Sequence, residues 1–177
     1  MLAGCALLDR RQFSDRDEEA RMKTWAFRLA GLVLVVLSAC GLAVRSTAHD
    51  PAVWHVDPAV AERTGQPNDF LLAPDGATAA TPDRTLTLAD PNAALGALDA
   101  VARAAPRTEV VAGSVADGFI TYVQRSAVFG FPDYITVKAV EGGLVVWSRA
   151  RFGYSDLGVN RTRIERWLAE SGIDPPA

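Results

Sequence analysis

The sequence has few of the residues that most often carry metals, redox chemistry and nucleophilic catalysis. Its 177 residues include two cysteines, Cys5 and Cys40, and two histidines, His49 and His55. If the mature chain begins at Cys40, as argued below, no pair of thiols is left for a disulfide, a thiol redox site or a thiolate metal site. Two histidines are also too few for a histidine-rich metal site. We therefore expect no metal and no cofactor.

The sequence also lacks a strong excess of charge and the common catalytic motifs. Lysine and arginine number 18 against 21 aspartates and glutamates, and no basic stripe typical of nucleic-acid binding is present. There is no Gly-x-Ser-x-Gly elbow, Walker loop, dinucleotide fingerprint or His-Glu-x-x-His motif. We therefore expect no nucleic-acid partner, and no enzyme class follows from a motif.

One long apolar run lies near the N-terminus, at residues 29–44. It is shorter than the roughly 20 residues that a membrane-spanning helix prefers. A signal-peptide core needs only about 7–15 apolar residues, with positive charge before them and small residues after them. Lys23 and Arg28 supply the charge, and Ser38-Ala39 supply the small residues. Residues 22–40 therefore predict a signal peptide.

The end of this segment, Leu37-Ser38-Ala39-Cys40, resembles the lipobox of bacterial lipoproteins, in which the cysteine is diacylated and becomes the first mature residue. Two or three acyl chains hold a protein stably at a membrane, whereas one binds only marginally. We therefore predict a lipoprotein of the cell envelope that faces the periplasm and contacts the membrane through Cys40. A single-pass anchor is the alternative topology, and the basic residues before the run place the domain outside the cytoplasm in that case too.

The predicted domain organisation has four parts. Residues 1–21 contain an acidic stretch that signal peptides normally lack. We interpret them as a gene-model extension or a disordered tail before a true start at Met22. Residues 22–40 are the signal peptide, residues 41–50 are a tether, and residues 51–177 form a single domain.

The expected fold class is α+β. Frequent proline and aspartate turn signals in residues 45–90 predict irregular chain, part of which docks on the domain through Trp54, Phe70 and Leu71-Leu72. Short turns imply antiparallel neighbours, so we expect a sheet of about four antiparallel strands with one helix before it and one after it, in addition to the N-terminal apolar helix. The predicted elements are a helix from Asp90-Pro91 to Pro106, strands at 108–113, 119–128, 133–140 and 144–152, and a helix at about 161–171 capped by Asn160.

The densest group of candidate functional residues follows the fourth predicted strand. Arg149 and Arg151 project from one face of that strand because side-chain direction alternates. The chain then passes through a glycine-bracketed loop into a helix with further arginines, and several of these groups can meet at one end of an antiparallel sheet. The candidate anion- or partner-binding residues are Arg125, Asp133, Arg149, Arg151, Asp156, Asn160, Arg161 and Arg163.

This region resembles the signature of the uncharacterised family known as domain of unknown function 1499. The resemblance covers roughly residues 50–171 and is densest at 119–166. It implies a member of a family found in bacterial envelopes and plastids, and it implies no established activity. The motifs that carry it are Arg125-Ser126, Phe131-Pro132-Asp133, Ser148–Arg151 (SRAR) and Gly153–Arg161 (GYSDLGVNR).

The arginine cluster has two interpretations, which can coexist. Guanidinium groups beside a glycine-containing loop and a helix N-terminus suit an anion, so a lipid headgroup, a cell-wall glycan fragment or a sugar acid would qualify as ligand. Alternatively, Arg149, Arg151 and Arg161 pair with Asp133 and Asp156 and lock the loop to the sheet. Our main hypothesis is a lipid-anchored, non-catalytic module with a binding or structural role.

An envelope hydrolase is the second hypothesis. The stretch Trp54–Pro58 places a histidine two residues before an acid, and such a pair can form an oriented general base. Its alternative is that the tryptophan docks on the domain and the Asp-Pro pair forms a turn. The hydrolase would use His55, Asp133 or Asp156 as acid–base groups. The sequence identifies no protein partner.

Overall fold

A computed structural model describes residues 3–173 of the chain, and for residues 3–20 and Cys40 it describes the backbone alone. The chain divides into two compact units, Met1–Ala43 and Val44–Ala177. The predicted acylation of Cys40 and the predictions that fall on residues 1–2 and 174–177 lie outside the described structure.

A long helix, α1, spans Ala3–Arg45. The first unit contains this helix as far as Ala43, and its last two residues, Val44 and Arg45, belong to the second unit. Its stretch Arg21–Arg45 is long and apolar enough to cross a membrane. A signal sequence near the N-terminus has the same length and composition, so α1 is compatible with either a signal or an anchor. The choice between a lipidated and a membrane-spanning chain stays a prediction.

A six-stranded mixed sheet forms the centre of the second unit, with the strand order β2-β1-β6-β5-β4-β3. Its last four strands in the chain form the predicted antiparallel meander, which confirms the α+β class. The strands are β1 (Asp69–Ala73), β2 (Arg84–Thr85), β3 (Thr108–Ser114), β4 (Phe119–Arg125), β5 (Pro132–Val140) and β6 (Gly143–Ala150). The helices of this unit are α2 (Pro51–Trp54), α3 (Pro91–Ala104) and α4 (Val159–Glu170).

The sheet is larger than the predicted four strands because residues 45–90 are more regular than their turn signals suggest. β1 pairs with β6 in antiparallel register, with Leu71 opposite Trp147, and β2 pairs with β1 in parallel. Phe70 and Leu72 are fully buried strand residues rather than docking points on an irregular segment. A short apolar run between prolines carries no periodicity that distinguishes a buried strand from a docked loop.

Helices α3 and α4 cover one face of the sheet. Asp90 caps α3 as predicted, because its carboxylate accepts a hydrogen bond of 3.0 Å from the amide of Ala93. Pro91 occupies the first turn, where its missing N–H has no cost. The main core lies between these helices and the sheet and includes the fully buried residues Leu95, Leu98, Ile120, Ile135, Val146, Ile164, Trp167 and Leu168.

The prediction that Asn160 caps the last helix is wrong. α4 begins at Val159, and Gly158, in a left-handed conformation, is the capping residue without a side-chain bond. Asp156 satisfies the first turn instead, because its carboxylate accepts from the amides of Asn160 (2.7 Å) and Gly158 (3.0 Å). The side chain of Asn160 consequently turns inward and is fully buried.

The chain before β2 covers the other face of the sheet. A second, smaller core forms there around Leu71, Val145 and Trp147, and Val56 and Ala59 pack against it. The ring of Trp54, at the end of α2, stacks on the ring of Tyr134 with a centroid distance of 3.7 Å. The predicted docking of Trp54 on the domain therefore takes place on the face opposite the helices.

Candidate functional site

The predicted site residues separate onto the two faces of the sheet. Side chains alternate along a strand, and Asp133 therefore faces the helices, whereas Arg149 and Arg151 face the other way. Arg161 belongs to neither group. Its side chain is exposed, and its guanidinium carbon lies 4.6 Å from the ring centre of Phe70. The structure forms two groups of charged residues instead of one.

Arg163 is the centre of the group on the helix side. Its guanidinium donates hydrogen bonds to Asp133 (2.6 Å), Gln124 (2.7 Å), Asn160 (2.6 Å) and Ser148 (3.0 Å). All but Asp133 are buried, and these bonds join α4 to three strands of the sheet. Burial raises the pKa of the Asp133 carboxyl, and the charge of Arg163 opposes this rise. The arrangement is a structural lock between α4 and the sheet. The sequence-based interpretation gave this role to Arg149, Arg151 and Arg161, whereas Arg163 fills it in the structure.

Arg149 is the centre of the group on the opposite face, and it lies between two tryptophan rings. Its guanidinium carbon is 4.0 Å from the ring centre of Trp147 and 5.5 Å from that of Trp54. The group donates to the Thr136 hydroxyl (3.1 Å) and to the Trp54 carbonyl (2.8 Å). Burial lowers the pKa of Arg149 to about 10, so the side chain remains charged at neutral pH.

Within the described residues, no carboxylate accepts a hydrogen bond from Arg149. The two bonds above use two of the five N–H donors of a guanidinium. Asp69 acts on Arg149 through its charge, but its oxygens are bonded elsewhere. They accept two bonds from Arg63 (2.7 and 2.9 Å) and one from the Trp147 indole (2.8 Å). Arg149 is therefore a buried cation without a directly bonded acid.

A chain of hydrogen bonds connects Arg151 to Arg125 beside this group. The Tyr134 hydroxyl lies 3.1 Å from Arg151 Nη1 and 2.7 Å from His49 Nδ1, and His49 Nε2 lies 2.6 Å from Arg125 Nη2. A guanidinium can only donate, so Nε2 accepts and the neutral ring carries its proton on Nδ1. Burial and the charge of Arg125 lower the pKa of His49 in the same sense.

A cavity of about 590 Å³ opens over Arg149 and Arg151. This volume lies within the range of about 300–1,000 Å³ that is typical of ligand pockets. The cavity combines two guanidinium groups with indole rings and uncharged side chains that can form hydrogen bonds. Its lining comprises Trp54, Thr64, Gln66, Asn68, Asp69, Trp147, Arg149, Ala150, Arg151, Gly153 and Tyr154.

The polar wall of this cavity could not be predicted from the sequence. Thr64, Gln66 and Asn68 belong to a loop far from the arginines in sequence, and they carry no motif. The pairing of β1 with β6 brings the loop beside the arginines, and the Asn68 carbonyl accepts from the amide of Ala150 (2.9 Å). Only a prediction of that strand pair would have indicated the wall.

The groups of the hydrolase hypothesis are not brought together. His55 bonds to the Thr121 hydroxyl through Nδ1 (2.9 Å), and Asp57 pairs with a lysine of β5 instead of the histidine. Asp133 belongs to the Arg163 lock, and Asp156 caps α4. None of these four side chains lines the 590 Å³ cavity.

The fold is an α+β domain whose sheet is covered by helices on one face and by the chain before β2 on the other. A cavity lined by Arg149 and Arg151 opens on the second face. Residues 59–170 match the family described as Protein of unknown function (DUF1499), and the chain belongs to this family. The resemblance seen in the sequence is confirmed. No curated protein and no solved structure is significantly similar to the chain.

Arg163→Ala should destabilise the domain strongly, because it leaves the largely buried Asp133 carboxylate and three buried polar side chains without their common partner. Breaking one side of a buried ion pair costs about 3–5 kcal/mol. Arg161→Ala, on the same helix, is the matched control; it removes only an exposed contact with the Phe70 ring and should cost about 0.5–1 kcal/mol. Urea unfolding of the detergent-solubilised chain, followed by near-UV circular dichroism, measures both. Similar losses for the two variants would refute the lock.

The neutral state of His49 predicts a loss of stability in acid. Its folded pKa lies below the ordinary value, so the unfolded chain takes up a proton first as the pH falls. Its contribution is complete above about pH 6.5 and declines below it. The free energy of unfolding should therefore fall more between pH 7 and pH 5 in the native chain than in His49→Gln. The charge of Glu109 raises the pKa of His49 and that of Arg151 lowers it, and both residues remain in the variant. Parallel pH profiles would contradict the assignment.

Proposed function

We propose that the protein is a membrane-anchored module of the cell envelope that binds an anionic ligand in the cavity over Arg149 and Arg151. The observation that supports this most directly is the state of Arg149, which is 7% exposed, charged and without a directly bonded carboxylate in the described structure. An incoming anion would supply the missing partner.

The energetics favour an anion over a neutral ligand. Burying a charge is costly unless it is paired and hydrogen-bonded. Guanidinium groups bind carboxylate and phosphate through two parallel hydrogen bonds, which are about twice as strong as bonds between neutral groups. Arg149 at the floor has unused N–H donors, and Arg151, half-buried at the wall, adds a second positive charge. The Arg163 cluster has no comparable capacity, because its acceptors surround the guanidinium.

The rest of the lining indicates what surrounds the charge in the ligand. Indole rings offer apolar faces, and the Thr64 and Gln66 side chains offer uncharged hydrogen-bonding groups beside them. A sugar acid, a glycan fragment that carries a carboxylate and a phosphorylated lipid headgroup share this chemistry: an anion attached to a hydroxyl-rich body. The experiment below separates the carboxylate from the phosphate source.

The membrane attachment of the module is supported by the apolar helix and by the lipobox at Leu37–Cys40. We propose that Cys40 is acylated and that the domain faces the periplasm. The single-pass chain remains the alternative.

Intact mass spectrometry of the protein extracted from membranes tests the anchor. The expected mass is that of a chain beginning at Cys40 with two or three acyl chains. A mass that includes residues 1–39 and an unmodified thiol would refute lipidation and would favour the single-pass alternative.

The cavity is tested by calorimetric titration with D-glucuronate, with glycerol phosphate and with D-glucose. We expect one of the two anions to bind and the neutral sugar not to bind. Arg149→Gln/Arg151→Gln should weaken anion binding at least tenfold, since a hydrogen bond to a charged group contributes about 1.5–3 kcal/mol and 1.4 kcal/mol is tenfold.

Two variants serve as controls for this titration. Arg161→Gln removes a guanidinium outside the cavity and should leave affinity unchanged. Arg151→Gln changes only the half-buried arginine. We expect it to weaken anion binding and to leave the circular dichroism spectrum unchanged, which separates loss of the site from loss of the fold. Failure of both anions to bind, or equal affinity in the folded double variant, would refute the proposed site.

A further inference from the structure

A cluster of large apolar side chains is exposed at one end of the sheet. Val128, Phe129 and Phe131 lie in the loop after β4, and Phe152 lies in the loop after β6; we call these four residues the apolar end patch. They are 72, 55, 41 and 46% exposed. The ring centres of Phe129 and Phe131 are 5.7 Å apart, and those of Phe131 and Phe152 are 6.1 Å apart.

The patch does not serve the core of the domain. None of its four residues belongs to either of the buried clusters that hold the sheet to its covering layers. Single exposed apolar residues are ordinary, but a contiguous exposed aromatic group marks an interaction surface. Aromatic rings are also favoured at membrane–water boundaries.

The first residues of the second unit are fixed against this patch. Arg45 Nη2 donates to the Val128 carbonyl (3.1 Å), and a Cβ on Gly130 would lie 2.6 Å from the Arg45 side chain. Arg125 Nη1 donates to the carbonyls of Val44 (3.4 Å) and Gly130 (3.2 Å). The point where the chain enters the domain and the loop after β4 therefore form one structure.

We propose that the apolar end patch inserts into the surface of the membrane that anchors the chain. The apolar run ends at Val44, and the predicted acylation site, Cys40, lies five residues before Arg45. Even fully extended, that stretch spans only about 18 Å. Either form of anchor thus holds the patch close to the lipid, and this inference rests on the membrane attachment proposed above but not on the anion site.

Positive charge beside the patch supports the same occupant. Arg45 is exposed at its edge, and the guanidinium carbon of Arg151 lies 5.4 Å from the ring centre of Phe152. Basic side chains next to apolar rings are drawn to anionic headgroups while the rings enter the boundary of the acyl chains. A protein partner would not explain why the loop that carries the patch is bonded to Arg45, the residue that follows the apolar run.

The test uses the full protein extracted from membranes and reconstituted into vesicles of phosphatidylglycerol and phosphatidylcholine. A small fraction of the lipid carries a photoactivatable group on its acyl chain, and cross-linked peptides are located by mass spectrometry. We expect labelling of both patch loops, the one that contains Phe129 and Phe131 and the one that contains Phe152. The turn around Val115 lies at the opposite end of β4 and should remain unlabelled.

Phe129→Ser/Phe131→Ser should abolish labelling of both patch loops while the protein still floats with the vesicles. Val115→Ser, an exposed apolar residue at the other end of the sheet, is the matched control and should leave labelling unchanged. If the native protein floats but its patch loops are labelled no more than the Val115 turn, the insertion is refuted and the anchor stands. If the protein does not float, the membrane attachment itself is refuted, and the insertion with it.

Discussion

The pairing of β1 with β6 is the contact on which the second core and the cavity depend. It extends a meander of four strands into a six-stranded sheet and fixes Leu71 opposite Trp147. The chain on both sides of β1 then has to cross the face that the helices leave open. One strand of five residues thereby buries the second core and places the loop at residues 64–68 beside the arginines.

Arginines on the two faces of this sheet have different chemical roles, although sequence alone makes them look alike. On the helix side, Arg163 is surrounded by acceptors, and its charge is balanced by Asp133. On the other side, Arg149 is held by aromatic rings and two neutral oxygens. The first arrangement joins elements of the fold, whereas the second leaves N–H donors of Arg149 without a bonded partner in the described structure, beside a cavity.

Much of the fold could be predicted because its turns are strongly marked. Asp90-Pro91 marks the start of α3, and Asp117-Gly118 and Glu141-Gly142-Gly143 mark the turns of two hairpins; the structure follows these signals closely. β1 and β2 could not be predicted, because short strands between prolines are stabilised by distant pairing rather than by local preference. The capping of α4 was misassigned for a related reason: Asp156 and Asn160 both have capping side chains, and the burial of Asn160 decides between them.

The site could be predicted in part. Alternation along β6 places Arg149 and Arg151 on one face, and the register of β5 against β6, with Tyr134 opposite Arg149, separates Asp133 from them. Trp54 and the polar wall come from chain that reaches the sheet only through long-range contacts. Whether an arginine has all its N–H donors bonded depends on acceptors that other strands and helices contribute. Sequence spacing does not predict which acceptors these are.

The position of Arg151 has a consequence for how a ligand would arrive. Its guanidinium carbon lies 5.5 Å from the ring centre of Trp54, in the cavity lining, and 5.4 Å from that of Phe152, in the apolar end patch. One side chain therefore touches both surfaces. If the patch inserts and the cavity binds as proposed, a ligand that resides in the bilayer would reach the cavity by lateral diffusion, and occupancy would follow its density per unit area of membrane instead of its concentration in solution.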